Sequence, residues 1–208
     1  MRIGIDVDGV LRDFCGGLIS VIQKHYPQYL KKHPNYGPPY SIYNTSGEPN
    51  TIIKDWQLEK NFNCSKKDLQ QIYWYDYAQE IMGRGAPIKG AVPTMRQLID
   101  TLPRSKYEWV CITSQKEHAR HLTLKWLGDM QLNFDRVVFA KGRDKWKVDV
   151  DWLVDDSPEN WHAWKRWRKG TDSVNNYILV NTIYNRHIKS HYRINDLSEV
   201  MGIINDER

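Results

Sequence analysis

The stretch Arg2-Ile3-Gly4-Ile5-Asp6-Val7-Asp8-Gly9-Val10-Leu11 decides the fold of this 208-residue chain. Residues 2–7 form a short run that is apolar on both faces before the first aspartate, which is typical of a strand in the middle of a parallel sheet. In open α/β sheets, ligands bind at the carboxyl ends of the strands. We therefore expect Asp6 and Asp8 to belong to a functional site at that edge of the sheet.

Short apolar segments alternate with helical patterns over the rest of the chain. Further strands are predicted over 108–112, 136–140, 151–155 and 177–181, the last of these being the final strand. Helices are predicted over 15–25, 91–102 and 116–128, after Pro158, and over 195–204 with Asn195 as its N-cap. This alternation indicates an α/β protein with a doubly wound, Rossmann-like parallel sheet.

The segment after the first strand breaks the alternation. The stretch 26–55 is rich in proline, glycine, tyrosine and asparagine, which indicates loops. A helical pattern returns over 56–82, where Ser65 is a candidate N-cap with Asp68 three residues later. We therefore divide the chain into an α/β core of residues 1–14 and 86–208 and a mainly helical cap of residues 15–85.

The composition narrows the class of protein. Hydrophobic residues make up 40% of the chain and charged residues 26%, as in a folded globular protein. No apolar run approaches the ~20 residues that a membrane span needs, so we expect no membrane partner. The three cysteines form no CxxC pair and the N-terminus has no secretory pattern, which favours a cytoplasmic location. The formal net charge of +5 suits an anionic partner.

Polar residues follow three of the predicted strands and should meet at one edge of the sheet. Several carboxylates at one place repel each other unless a cation is bound. Oxygen ligands of this kind, together with a substrate phosphate, suit Mg²⁺. The candidate site consists of Asp6, Asp8, Thr113, Ser114, Lys145, Asp155 and Asp156.

These segments resemble the four-motif signature of the haloacid dehalogenase (HAD) superfamily: Asp6-Val7-Asp8-Gly9-Val10-Leu11, Ile112-Thr113-Ser114, a lysine, and Asp155-Asp156. Other segments resemble the 5'(3')-deoxyribonucleotidase family: Asp8-Gly9-Val10-Leu11-Arg12-Asp13-Phe14, Arg143-Asp144-Lys145 and Tyr184-Asn185-Arg186. The resemblance covers residues 1–14 and 86–205, whereas the cap matches only in position and size. It implies a HAD-like fold and a Mg²⁺-dependent phosphomonoesterase that forms an aspartyl-phosphate.

The resemblance also implies a role for each catalytic residue. Asp6 would be the nucleophile that attacks phosphorus. Asp8 would protonate the leaving alkoxide and later activate water. Thr113 would hydrogen-bond the phosphoryl oxygens, and Lys145 would neutralise their charge.

For the metal, the resemblance implies that Mg²⁺ is held by Asp6, the backbone carbonyl of Asp8, and Asp155. Asp156 would either bind the ion directly or support a residue that does. The sequence does not separate these two roles of Asp156.

Several assignments stay open from the sequence alone. Lys141 and Lys147 lie close to Lys145, and Ser114 either binds substrate or caps the next helix. Phe14 either contacts the base, as in the resembled nucleotidases, or packs at the start of the cap. The cap aromatics that could stack on a base are Tyr43, Trp56, Tyr73, Trp74 and Tyr75.

The substrate that fits best is a deoxyribonucleoside monophosphate. Alternatives are a sugar phosphate, a cofactor precursor or a polynucleotide 3'-phosphate end, and a rival of another class is a catalytically inactive HAD-like binding module. The Trp- and Arg-rich segment 161–169 keeps nucleic acid open as a partner, although helix packing predicts buried tryptophans and basic residues in water. The sequence also leaves an oligomer open.

Overall fold

A six-stranded parallel sheet forms the centre of the computed structural model, which describes residues 1–31 and 53–206. The strand order is β3-β2-β1-β4-β5-β6, and this confirms the predicted α/β class. The direction of winding reverses between β1 and β4, where open sheets form their ligand crevice. The strands are β1 (Arg2–Ile5), β2 (Glu108–Thr113), β3 (Arg136–Phe139), β4 (Trp152–Asp155), β5 (Tyr177–Val180) and β6 (Tyr192–Ile194).

β1 lies in the middle of the sheet, as its apolar sequence predicts. Ile3 is paired with Trp109 of β2 on one side and with Trp152 of β4 on the other. A Cβ atom on Gly4 would lie 2.5 Å from the Ile112 side chain and 3.3 Å from the Trp152 carbonyl, so a larger residue there would force its neighbours to shift. This position brings the end of β1 to the crevice.

The sixth strand corrects the sequence analysis, in which 177–181 was the final strand. β6 pairs in parallel with β5, and Ile194 is its one buried residue. A strand of three residues at the edge of a sheet has no apolar run, so the pattern gives no signal for it.

Four helices pack on the sheet: α3 (Ala91–Thr101), α4 (Arg120–Asp129), α5 (Pro158–Trp167) and α6 (Val200–Asp206). The helix predicted over 195–204 begins as a 3₁₀ turn, Leu197–Glu199, before α6. Its N-cap is Asp196 and not Asn195, because the Asp196 side chain accepts a hydrogen bond from the Ser198 amide. Asp196 is also the residue that forms a capping box with Glu199.

The helical insertion, which comprises the described residues 14–31 and 53–83, lies between β1 and α3. It contains α1 (Phe14–His25), a 3₁₀ turn (Leu58–Asn61) and α2 (Lys66–Gln71). The Ser65 N-cap is confirmed, with Asp68 completing a capping box. The helix predicted over 56–82 is interrupted, because two π turns follow α2 at Ile72–Asp76 and Gln79–Gly83.

A second hydrophobic cluster lies mainly in the helical insertion and extends onto α4, which contributes Leu122. Its buried side chains include Leu18, Ile22, Leu69, Ile72 and Ile81. Most of the predicted loop 26–55, including the base-stacking candidate Tyr43, lies outside the described residues.

The tryptophans of α5 differ in burial. Trp164 is fully buried, whereas Trp167 is 55% exposed and stacks on Trp146 with 5.3 Å between ring centroids. The Arg168 guanidinium lies 3.8 Å from the centroid of the Trp164 ring and donates to the carbonyl of Val148. The expectation of buried tryptophans with basic residues in water is therefore wrong for Trp167 and Arg168.

Over the part of the chain that the structure describes, no helix has the length and hydropathy of a bilayer span.

Candidate active site

Three buried carboxylates meet at the carboxyl edge of the sheet. Asp6 directly follows β1, Asp155 ends the neighbouring strand β4, and Asp156 is the next residue. Each offers one oxygen atom, and these oxygens all lie within 4.8 Å of one another. The structure thus brings together the acids that the sequence placed at two strand ends.

Lys145 bridges two of these acids. Its Nζ atom lies 2.6 Å from Asp6 Oδ2 and 2.7 Å from Asp155 Oδ2, and its side chain is 2% exposed. Lys147 is solvent-exposed and pairs with Asp144, and Lys141 is also exposed. Among the three lysines of this segment, Lys145 is therefore the one that reaches the site.

The site carries an excess of buried negative charge. Burial raises the pKa of Asp6 to about 7, although Lys145 opposes the shift. Burial and the neighbouring Asp155 raise the pKa of Asp156 well above its usual range. Burial disfavours the Lys145 ammonium, but Asp155 and Asp6 outweigh it and raise the pKa of Lys145. Three carboxylates face this one ammonium group, so a hard divalent cation such as Mg²⁺ fits the donor set.

The two adjacent aspartates have different surroundings. Asp155 Oδ1 accepts from the Ser157 amide at 2.7 Å, and Oδ2 accepts from Lys145 and from Asn160 Nδ2, the latter at 3.0 Å. Protein donors therefore occupy both oxygens of Asp155. Asp156 lines the cavity of the site, which Asp155 does not. This geometry favours Asp156 over Asp155 as a ligand for a metal ion, and the sequence alone left that choice open.

The loops around Asp156 fix its position. The Tyr184 hydroxyl donates to Asp156 Oδ2, and Asn185 Nδ2 donates to the Asp156 carbonyl at 2.8 Å. Gly9 has a positive φ of 83°, and a Cβ atom there would clash with the Asp156 carboxylate. The glycine of the Asp-x-Asp-Gly segment is thus required both by its backbone and by this close approach.

Asp8 also lines the cavity, and both of its carboxylate oxygens have a donor. Arg12 Nε donates to Oδ1 at 2.7 Å, and Gln115 Nε2 donates to Oδ2 at 2.7 Å. The sequence analysis missed Arg12, Gln115 and Asn160. Only Arg12 had a signal, since it is a charge directly after the apolar pair Val10-Leu11.

Two buried hydroxyl groups in the cavity wall have no hydrogen-bond partner among the described residues. They are Thr113 Oγ1 and Ser114 Oγ, at the end of β2. The expectation that Ser114 caps the next helix is wrong, since the turn Glu117–Ala119 begins without a side-chain cap. Both hydroxyls can therefore donate to an anionic ligand.

The cavity has a volume of about 250 Å³, with a polar floor and an aromatic wall. Phe14 packs edge-on against Tyr73 at 5.5 Å, and Trp56 packs against Tyr184 at 5.5 Å. Tyr75 is instead 53% exposed and stacks on His118. The aromatic residues lining the cavity are Phe14, Trp56, Tyr73, Trp74 and Tyr184.

The fold and the site together define a HAD-type phosphatase, which is a phosphoric monoester hydrolase. They combine a parallel sheet with an Asp-x-Asp-Gly turn, a buried lysine and an Asp-Asp strand end at the crevice. A family model narrows this class. The model described as "5' nucleotidase, deoxy (Pyrimidine), cytosolic type C protein" matches residues 1–208, and the chain belongs to this family.

Solved structures share the fold at low sequence identity. A putative β-phosphoglucomutase from Thermotoga maritima has a TM-score of 0.54 and 14% identity, over 99% of this chain and 98% of the other. A HAD-superfamily hydrolase from Geobacter sulfurreducens has a TM-score of 0.53 and 12% identity, over 98% of this chain and 95% of the other. The putative HAD-hydrolase YfnB from Bacillus subtilis, bound to magnesium, has a TM-score of 0.51 and 16% identity, over 98% of this chain and 98% of the other. No curated protein matches the sequence.

Proposed function

We propose that the protein hydrolyses nucleoside monophosphates, preferably deoxyribonucleotides, to nucleoside and phosphate in a Mg²⁺-dependent reaction. The observation that carries this proposal is one cavity with a polar floor, to which Asp6, Thr113 and Lys145 belong, and an aromatic wall. The floor suits a phosphoryl group, and the wall suits a nucleobase, since every base has a face that stacks on aromatic side chains. The description of the family, a deoxy 5' nucleotidase, supports the same substrate.

Asp6, Asp156 and the backbone carbonyl of Asp8 are the proposed ligands of Mg²⁺, and Asp155 orients Lys145. When bound, Mg²⁺ would neutralise charge on the phosphoryl oxygens and hold the phosphoryl group in place. The buried excess of carboxylates and the position of Asp156 in the cavity wall support this ligand set.

In the first half of the reaction, an Asp6 oxygen attacks phosphorus and the ester P–O bond breaks. Asp8 gives its proton to the leaving oxygen of the nucleoside. Lys145 and the hydroxyls of Thr113 and Ser114 stabilise the charge on the transferring group. The products are the free nucleoside and an aspartyl-phosphate on Asp6.

In the second half, a water molecule attacks phosphorus and the bond between phosphorus and Asp6 breaks. Asp8 accepts the proton of this water, so the residue returns to its protonated form. Inorganic phosphate leaves and the Asp6 carboxylate is restored.

We also propose that the helical insertion acts as a cap, with residues 15–85 forming one unit and residues 1–14 and 86–208 the catalytic core. Phe14 and the lining aromatics would hold the base, and closure over the ester would exclude water. A cytoplasmic location fits the three free cysteines, since a reducing compartment keeps thiols unpaired.

A phosphate-release screen with Mg²⁺ tests the substrate. It should include the common deoxy- and ribonucleoside monophosphates, sugar phosphates and a 3'-phosphorylated oligonucleotide. We expect the highest kcat/KM on a deoxyribonucleoside monophosphate. A preference for sugar phosphates or for the oligonucleotide end would overturn the proposed substrate, and no release from any ester would overturn the activity.

Asp6→Asn tests the nucleophile. We expect turnover to be lost in this variant while its circular dichroism spectrum stays that of the wild type, because the amide replaces the carboxylate at almost the same volume. Phosphate release at the wild-type rate would show that Asp6 does not attack phosphorus.

A further inference from the structure

Arg12 is a charged side chain with no exposure to solvent, and each arm of its guanidinium group has a separate partner. Nε donates to Asp8 Oδ1 at 2.7 Å, one terminal nitrogen donates to the Met82 carbonyl, and the other donates to Thr123 Oγ1 at 3.2 Å. The guanidinium carbon also lies 5.3 Å from the centroid of the Trp126 ring. Arg12 does not line the cavity, so these contacts act on Asp8 and not on a ligand.

Arg12 lies where the chain leaves the core for the helical insertion and returns from it. The two connections run side by side, since Arg12 forms an antiparallel bridge with Pro87 and the Ile88 amide donates to the Leu11 carbonyl at 2.8 Å. Met82 belongs to the last turn of the insertion, whereas Thr123 belongs to α4 of the core. The Arg12 side chain therefore links the orientation of Asp8 to both the helical insertion and the α/β core.

Gln115 holds the other oxygen of Asp8. Its Nε2 atom donates to Asp8 Oδ2 at 2.7 Å, and its Oε1 atom is buried without a partner among the described residues. An amide can present either a donor or an acceptor after a rotation of about 180°. Gln115 can thus contact this oxygen of Asp8 through either end of its amide group.

We propose that Arg12 and Gln115 are positioning residues that aim the Asp8 carboxyl group for proton transfer in both halves of the reaction, and that Arg12 makes this aim depend on the seating of the helical insertion. The inference rests on the proposed function and deepens it. Arg12 holds one oxygen of Asp8 in place, and Gln115 holds the other. Neither residue lines the cavity.

If Asp8 is displaced, the loss of rate should depend on the leaving group of the ester. An alkyl ester has a poor leaving group and needs a proton in the transition state, whereas 4-nitrophenolate leaves without one. General acid catalysis contributes ~10²–10⁴ in rate, and a displacement of about 1 Å can cost ~10². Loss of the positioning contacts should therefore slow alkyl esters much more than aryl esters.

The test compares Gln115→Leu and Arg12→Lys with the wild type on thymidine 5'-monophosphate and on 4-nitrophenyl phosphate. We expect kcat for the alkyl ester to fall by about 100-fold and kcat for the aryl ester to fall by less than about 5-fold. Leu127→Ala, a buried core variant on α4, is the control for general destabilisation. It should change the two rates by the same factor.

A double-mutant cycle gives a second readout that a structural role would not produce. With Asp8→Asn as the background, Gln115→Leu should cause no further loss on the alkyl ester, because residues that act through one group are not additive. Equal losses on both esters, or an additive effect in the cycle, would overturn the positioning role while leaving the phosphatase activity in place. If Arg12→Lys does not fold, Gln115→Leu and the cycle decide the proposal. A wild type that is inactive on both esters would overturn the proposed function itself and this inference with it.

Discussion

At the scale of the residue, the two buried threonines Thr113 and Thr123 show how a hydroxyl group can serve either activity or stability. Thr113 Oγ1 has no partner among the described residues and lines the cavity. Thr123 Oγ1 accepts a hydrogen bond from Arg12 at 3.2 Å and is fully buried. A buried hydroxyl without a partner costs free energy of folding, whereas one with a charged donor contributes to it.

We predict opposite effects of the same substitution at these two positions. Thr113→Val should lower kcat by about 100-fold, because it removes a donor to the phosphoryl oxygens. It should also raise the free energy of unfolding by about 1 kcal/mol, because it removes an unpaired polar atom. Phosphate release and urea unfolding measure the two quantities.

Thr123→Val is the matched control for Thr113→Val. It should lower the free energy of unfolding by about 1–3 kcal/mol, because it leaves an Arg12 donor unpaired in the core. Full activity in Thr113→Val would contradict the role of its hydroxyl.

The sequence predicts the residues at strand ends well and the residues that orient them poorly. Asp6, Thr113 and Asp155 follow from the rule that strands of a parallel sheet end at one edge. Gln115 and Asn160 act through hydrogen bonds between distant segments, and no spacing in the sequence encodes such a contact. The motif spacing favours Lys145 over Lys141 and Lys147, and the turn Lys145–Lys147 places Lys145 inside the protein and Lys147 in solvent.

At the scale of the element, the start of the last helix shows how a cap depends on geometry and not on residue type alone. Asn195 and Asp196 are both good N-cap residues by type. Asp196 Oδ1 accepts from the Ser198 amide at 2.8 Å, whereas the Asn195 side chain accepts from Asn181. Only Asp196 therefore stabilises the turn that leads into α6.

We predict that Asp196→Ala lowers the free energy of unfolding by about 1 kcal/mol at neutral pH, whereas Asn195→Ala changes it by less than about 0.5 kcal/mol. Hydrogen bonds from Ser198 hold the pKa of Asp196 below its usual range. A carboxyl group with a lowered pKa stabilises the fold above its unfolded pKa of about 3.9, and this contribution is lost as the pH falls further. The difference between Asp196→Ala and the wild type should therefore shrink in urea unfolding below about pH 3. Equal effects of the two alanine substitutions would contradict the assignment of the cap.

The sequence predicts long, strongly patterned elements such as α3 and β2 almost to the residue. It does not predict the π turns after α2, because nothing in the local helical pattern marks the extra residue in each turn. The edge strand β6 is missed for the related reason that its stability comes from pairing with β5.

At the scale of the whole molecule, the buried carboxylates connect metal binding with stability. Burial is the main cause of the raised pKa values of Asp6 and Asp156. A cation that binds these acids in the folded state and not in the unfolded chain must stabilise the fold by mass action.

We predict that Mg²⁺ raises the melting temperature of the protein. At a Mg²⁺ concentration a hundredfold above the dissociation constant, the free energy of unfolding should rise by about 2.7 kcal/mol. EDTA should abolish phosphate release, and added Mg²⁺ should restore it. Asp156→Asn should lose most of the thermal shift. Asp144→Asn, which affects only an exposed ion pair with Lys147, should keep the shift. A wild-type melting temperature that does not respond to Mg²⁺ would contradict the metal site.

The central position of β1 has a consequence for biosynthesis. This strand leaves the ribosome before its hydrogen-bonding neighbours β2 and β4, which end at Thr113 and Asp155. The nascent chain must therefore keep an unpaired apolar strand from aggregating until both neighbours have been translated. Pauses of the ribosome or the loss of a chaperone during that interval would harm the yield of this protein more than the same events later in its synthesis.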